Sequence, residues 1–234
     1  MRNMKKSDRY DTSFLPEAQF EPRSRGRVLK NLLGIKRKRD MDVAESEALQ
    51  IAIDKFLTMY DRKHCFTERD IKKMHKIWLG KIYEWAGEYR QVNVSKDDFP
   101  FAAAKQITAL MAEFEKGPLF KHTPCTFESM ERIIQALAEV HVELVLIHPF
   151  REGNGRLARA LATVMAAQAG LPLLDFGCIR GKKKIDYFAA VRAGLDRNYK
   201  PMEDLFGFVI RWNMHPSRVA QWFRKVKGNA FLPK

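Results

Sequence analysis

Between Thr126 and Ile147 apolar residues fall at Phe127, Met130, Ile133, Ile134, Leu137, Ala138, Val140, Leu144 and Val145, on nearly every side of a helix. A helix that is apolar all round has to be surrounded, so this segment is expected to run through the middle of a helical domain. Pro149 stops it, since proline has no N–H to give and restricts the residue before it. A second apolar pattern, Leu157, Leu161, Val164 and Met165, starts just past Gly153 and Gly155 and ends at Gly170 and Pro172. The stretch HPFREGNGRLAR, His148 to Arg159, therefore reads as a short loop that joins two helices and opens the second.

The remaining segments are mostly helical in period. Asp42, with Glu45 three residues on, reads as a helix start ahead of Ala48, Leu49, Ala52, Phe56 and Tyr60, and Thr67-Glu68-Arg69-Asp70 repeats that capping pattern ahead of Ile71, Met74, Trp78 and Ile82. His75 and His141 sit on apolar faces and read as hydrogen-bonded core residues. Lys105–Lys116 carries a further helix that Gly117-Pro118 is expected to stop, and Ile185–Leu195 and Met202–Met214 read as amphipathic. Residues 83–104 differ: apolar positions alternate at Tyr89, Val92 and Val94, a turn follows at Lys96-Asp97-Asp98, and Phe99-Pro100-Phe101 returns, which predicts a small β-hairpin whose edge could take an extended segment of a partner.

Charge marks the two ends. Residues 1–40 hold 12 Lys and Arg against 5 Asp and Glu, and residues 180–234 hold 13 against 4, so the net charge of +14 lies outside a near-neutral middle. Such ends suit nucleic acid, an acidic membrane face or an acidic protein, or are simply solvated. The three cysteines, Cys65, Cys125 and Cys178, are odd in number and far apart, which argues against a disulfide framework or zinc site and for a reducing, cytoplasmic setting. No Sec signal is visible at the start. The most apolar run, Ala158 to Leu174, is interrupted by Arg159, Gln168, Gly170 and Pro172, so it reads as a buried helix end and no membrane partner is expected.

The loop carries the chemistry. An imidazole at His148 can take a proton near neutral pH, as activation of a hydroxyl requires. Glu152, four residues on, is the kind of lone carboxylate that binds Mg²⁺ together with water and phosphate oxygens. Gly153, Asn154 and Gly155 can turn N–H groups toward an anion at the start of a helix, where the helix dipole helps. Arg156 and Arg159, three apart, share a helical face and suit a polyphosphate. A base, a metal-type carboxylate, an anion nest and two arginines in twelve residues point to a phosphate-handling site.

His148 to Arg159 matches at every specified position the signature HxFx(D/E)GNGRxxR, and in this the chain resembles the Fic-domain family. Trp85-Ala86-Gly87 through Val94-Ser95-Lys96 and Phe99-Pro100-Phe101 resembles the segment that leads into the family's target-binding flap, and the likeness covers residues 28 to 212 or so. The resemblance implies an all-α fold, a Fic-type helical bundle with a small β-hairpin flap. It divides the chain into a basic arm (1–27), the Fic domain (28–214) and a basic tail (215–234). It further implies protein AMPylation: AMP passes from ATP to a Ser, Thr or Tyr hydroxyl of a target protein, with Mg²⁺, and pyrophosphate leaves. By that likeness His148 deprotonates the hydroxyl and Glu152 binds Mg²⁺. Gly153, Asn154 and Gly155 form the anion hole, with the Asn154 side chain near the α-phosphate, and Arg156 and Arg159 hold the β- and γ-phosphates. Val92, Asn93, Val94, Ser95, Lys96, Phe99 and Phe101 make up the flap.

Gly155 argues against the branch of the family that transfers the γ-phosphate, which typically has lysine there; branches that use UTP, GTP or a choline-bearing nucleotide are barely separated by the motif. The family's inhibitory pattern (S/T)xxxE(G/N) has one partial match, Ser13 with Glu17, but Ala18 follows and Pro16 breaks the helix. Either a small antitoxin supplies the inhibitory helix in trans or the brake is missing, as would fit an effector exported without a Sec signal. The competing reading is a nucleic-acid-binding regulator that keeps a vestigial Fic core; the intact motif speaks against it.

Overall fold

The computed structural model describes residues 14–216. Residues 1–13, and all but the first two positions of the expected tail, lie outside them.

α5 (Met130–Ile147) is the core of the molecule, as its all-round apolar sequence requires: Ile133, Ala136, Leu137, Ala138, Val140, Val142, Leu144 and Val145 are all buried. The helix begins at Met130, one turn after the expected Thr126, because Ser129 caps it by accepting the Arg132 N–H at 3.2 Å. α6 (Asn154–Gln168) and α8 (Lys200–Met214) pack along it. α7 (Lys182–Ala193) lies against α8, and α1 (Lys38–Met59) pairs with α2 (Glu68–Leu79) on the side of α6. The only sheet among the described residues is the antiparallel pair β1 (Ser95–Lys96) and β2 (Phe99–Pro100), so the all-α class with one small hairpin holds. No helix among the described residues is long and apolar enough to cross a membrane.

Capping was legible at α2, where Thr67 and Asp70 form the reciprocal capping box. Elsewhere local contacts move the boundaries. α1 starts at Lys38, a turn before Asp42; Asp40 meets Arg37 at 2.6 Å and Asp42 pairs with Lys38, offsetting a basic run that would otherwise crowd the positive end of the helix. Gly117-Pro118 does not stop α3 (Ile107–Phe114). The helix widens into a π-type turn over Glu115–Leu119, which keeps Pro118 inside the helical run that continues into α4 (Phe120–His122). The hairpin is shorter than the alternation at Tyr89, Val92 and Val94 suggested. Residues 90–92 lack a partner strand and bond instead to Pro149 and to the Glu17 carboxylate, which accepts the N–H groups of Gln91 (2.6 Å) and Val92 (3.1 Å).

Candidate active site

His148 ends α5 in the left-handed conformation, φ 52° and ψ 57°, which costs a non-glycine residue about 1–2 kcal/mol. That turn lets the ring reach back over its own helix, where Nδ1–H donates to the Val145 carbonyl at 3.0 Å. With Nδ1 engaged as donor, Nε2 carries the lone pair and faces a cavity of about 1310 Å³. Phe101 stacks on the ring at a centroid distance of 3.6 Å. Burial pushes the imidazole pKa down to about 4, helped by nearby Arg90, so the ring is neutral at physiological pH and its lone pair is open to a proton.

The loop from His148 to Gly153 is fixed from behind. His75 lies in the core, as expected, and stays neutral: burial takes its pKa down to about 3. Its Nδ1 accepts the Gly87 N–H at 2.8 Å and its Nε2 donates to the Glu152 carbonyl at 3.1 Å, while its ring stacks on Phe150 at 3.9 Å. Gly153 turns with φ 84°, and a Cβ there would sit 2.7 Å from the Trp78 ring, so both the backbone and the space demand glycine. Gly155 has no such need. A Cβ on it would meet only the Arg159 guanidinium at 3.8 Å; its missing side chain leaves the cavity floor open.

α6 starts at Asn154, and its first intrahelical bond is Leu157 N–H to the Gly153 carbonyl at 2.9 Å. The N–H groups of Asn154, Gly155 and Arg156 thus form the open first turn of a fifteen-residue helix, facing the cavity that these residues line. The Asn154 side chain is otherwise engaged. It is buried, with its carbonyl accepting the Phe150 N–H (2.8 Å) and its amide donating to the Phe150 carbonyl (2.7 Å), so it closes the loop and presents its backbone N–H to the cavity.

The two arginines have different surroundings. Arg156 lies over Trp78 and is paired through one nitrogen with the buried Glu45 at 2.7 Å and through another with Glu152 at 3.2 Å. Burial lowers its pKa, but the two carboxylates outweigh that and raise it. Arg159 has no carboxylate ion pair among the described residues and borders the cavity beside Tyr187, whose hydroxyl meets His141 Nε2 at 2.9 Å. Buried His141 is a core residue, as its place on an apolar face suggested.

Glu152 is the carboxylate of the motif loop that borders the cavity. Its Oε1 accepts the Gly153 N–H at 2.8 Å and faces Arg156, and the carboxylate is half-exposed to the cavity. No cluster of three or more His, Cys, Asp and Glu exists among the described residues. That donor set fits Mg²⁺, which takes one or two carboxylates and completes its shell with water and phosphate oxygens.

From the expected flap, Val94, Ser95, Lys96, Phe99 and Phe101 line the cavity. Val92 and Asn93 do not. Val92 is buried at the flap root and Asn93 Oδ1 accepts the Ala104 N–H at 2.9 Å. The opposite wall is α7 with the loop before it, including Arg180, Lys184, Tyr187 and Phe188, none of which had a motif to mark it. Lys96 sits over the Phe188 ring at 3.8 Å; burial and then the neighbouring Lys184 lower its pKa.

Residues 65–166 match the model of the Fic/DOC family. The chain is 29% identical over 192 residues to the protein adenylyltransferase VbhT of Bartonella schoenbuchensis, covering 80% of this chain and 37% of that protein. It is 31% identical over 155 residues to the protein adenylyltransferase Fic of Nematostella vectensis, covering 66% and 34%. It thus spans little more than a third of these two relatives. Among solved structures, the BepC protein of Bartonella tribocorum, a VirB-translocated effector with bound AMPPNP, superposes with a TM-score of 0.63 at 25% identity, over 77% of this chain and 91% of that one. A Fic domain from Bartonella quintana with bound ADP gives 0.62 at 26% identity, over 77% and 89%.

Proposed function

The chain carries a Fic/DOC-family domain across residues 65–166, and we propose that it is a protein adenylyltransferase that moves AMP from ATP to a Ser, Thr or Tyr hydroxyl of a target protein. One observation carries the reading: a neutral imidazole with its Nε2 free, and the open first turn of a helix, face the same cavity. A target segment laid along the flap brings its hydroxyl to His148, whose Nε2 takes the proton as the hydroxyl oxygen bonds to the α-phosphorus. The bond from that phosphorus to the bridging oxygen of the β-phosphate breaks, and pyrophosphate leaves. The N–H groups of residues 154–156 and the Arg159 guanidinium stabilise the charge gathering on the phosphates. Arg156, paired with Glu45 and Glu152, holds the carboxylate in place. Glu152 would hold Mg²⁺, which supplies neutralising charge at the phosphates when bound.

A brake, where one operates, comes from outside the described residues. Glu17, the one glutamate with the inhibitory spacing, is buried at the flap root with Gln91 and Val92, away from the phosphate cavity. That leaves the two sources already named, a small antitoxin acting in trans or a chain without this brake.

Incubation of the purified chain with α-³²P-ATP and Mg²⁺, alone and with lysate, tests the reading. Label is expected on protein, and His148→Ala should lower it by about 10²–10⁴-fold. Absence of label with the wild type, or equal label with His148→Ala, overturns it; label from α-³²P-UTP or GTP alone would move the assignment to another nucleotide.

A further inference from the structure

Arg90 is a fully buried arginine that no motif marks and the proposed chemistry does not use. Its donors go to main-chain carbonyls. Nε donates to His148 at 2.7 Å, one terminal nitrogen to Val92 at 2.7 Å, and the other to Ala102 at 2.6 Å and to Ile147 at 3.4 Å. Its own backbone N–H donates to Pro149 at 2.9 Å. Val92 and Ala102 are the two stems of the flap; Ile147, His148 and Pro149 are the junction between α5 and the motif loop. One planar fork therefore spans both sides of the site.

Resting on the reading of His148 as the base, we infer that Arg90 is a positioning residue that sets the aim of His148 and its distance from the flap. The left-handed turn at His148 swings that residue's carbonyl out of α5 and onto the Arg90 Nε–H, so the contact holds the conformation that points Nε2 into the cavity. The bond to Ala102 fixes the residue next to Phe101, and Phe101 is the ring that stacks on His148. His148 is thus located by three contacts, at its main-chain carbonyl, its Nδ1–H and its ring face, and two of them depend on Arg90. Glu17 steadies the same stem through the N–H groups of Gln91 and Val92. A lysine would keep the charge but bring three donors at one point, too compact to reach carbonyls on both sides.

The test compares wild type with Arg90→Lys, using the full chain with ¹⁵N-labelled histidine. Wild-type His148 is expected to hold its proton on Nδ1 at neutral pH. In Arg90→Lys the ring should shift to a mixture with substantial Nε2–H, while the rate of protein labelling at saturating α-³²P-ATP falls about 10²-fold, the scale of a misplacement near 1 Å. Affinity for a fluorescent ATP analogue should stay within about twofold, since the phosphate-binding turn is not touched by Arg90. A folded Arg90→Lys with the wild-type His148 spectrum and labelling rate overturns the inference. Should that variant fail to fold, the wild-type Arg90 Nε–H decides: slow solvent exchange is expected, and fast exchange overturns it. If wild type labels nothing, adenylyl transfer fails as the function while the His148 spectra still decide the role of Arg90.

Discussion

The motif loop and the flap face each other across one cavity and are held in different ways. Residues 148–154 are pinned by buried groups from three directions: His75 and Trp78 on α2, Arg90 at the flap root, and the Asn154 amide closing the loop on itself. The flap tip rests on a ladder of two-residue strands, a turn at Asp97 with φ 53°, and contacts to α7 through Lys96 over Phe188 and Arg192 to Asp98. On the proposed chemistry, groups that would meet phosphates with sub-ångström accuracy are set in the core, and groups that would meet a variable protein segment are set on the surface. Breaking the first should therefore cost fold and chemistry together; loosening the second should cost little stability.

The largest effect is expected at Gly153. Alanine there must adopt φ 84° and displace a Trp78 ring whose Nε1–H is tied to the Glu45 carbonyl at 2.9 Å. Overpacking and backbone strain together predict a loss of about 2–6 kcal/mol and of protein labelling. Urea denaturation measures the first. A Gly153→Ala chain of wild-type stability would mean that the loop is no more rigid than the flap.

Acid should separate the two regions as well. His75 and His141 have pKa values lowered to about 3, and His148 to about 4, chiefly by burial. Unfolded, each titrates near 6.5, so the unfolded chain binds more protons below that pH. The stability these neutral rings permit is complete above pH 6.5 and is lost as pH falls toward 4, at about 1.4 kcal/mol per pH unit for each ring in that window. Urea midpoints between pH 7 and pH 5 measure the slope. Hydrogen exchange should rise at the end of α5 and in the motif loop as that slope develops, since the flap carries no histidine; exchange rising first at residues 95–100 would contradict the comparison.

How much of this was readable beforehand follows the same division. The central helix, its stop at Pro149 and the restart at the glycines are written in apolar spacing and backbone chemistry, and all three survive because burial and φ leave few alternatives. His75 and His141 read as core for the same reason. The sequence was silent wherever one side chain serves main chain far away. Arg90 sits in a polar run with no periodic mark, and Glu17 reaches residues 91 and 92 across more than seventy positions. Arg156 and Arg159 look alike at a three-residue spacing, and the pairing of Arg156 with Glu45 on α1 and with Glu152 tells them apart. The strand ends misled for a related reason: alternation at Tyr89, Val92 and Val94 has the right period, but the backbone there is satisfied by Pro149 and Glu17 instead of a second strand.

The smallest expected effect is at Arg192, where the flap tip meets α7. Its guanidinium reaches Asp98 at 3.2 Å and lies 5.5 Å from the Phe99 ring, and both partners of the ion pair are largely exposed. An exposed pair of this kind contributes about 0–1 kcal/mol, so Arg192→Ala should move the urea midpoint little. Its effect should fall on the flap: faster amide exchange at residues 95–100, unchanged affinity for an ATP analogue, and a rise of a few-fold in the KM for the protein acceptor. The contrast with Gly153→Ala is what matters. Substitution at an exposed contact should change how the acceptor is held without changing the phosphate site, because the two walls share their firm connection at Arg90 and not at the tip. Equal loss of stability in the two variants would show that the tip is part of the rigid frame, and the division between a preset phosphate wall and an adaptable acceptor wall would have to be given up.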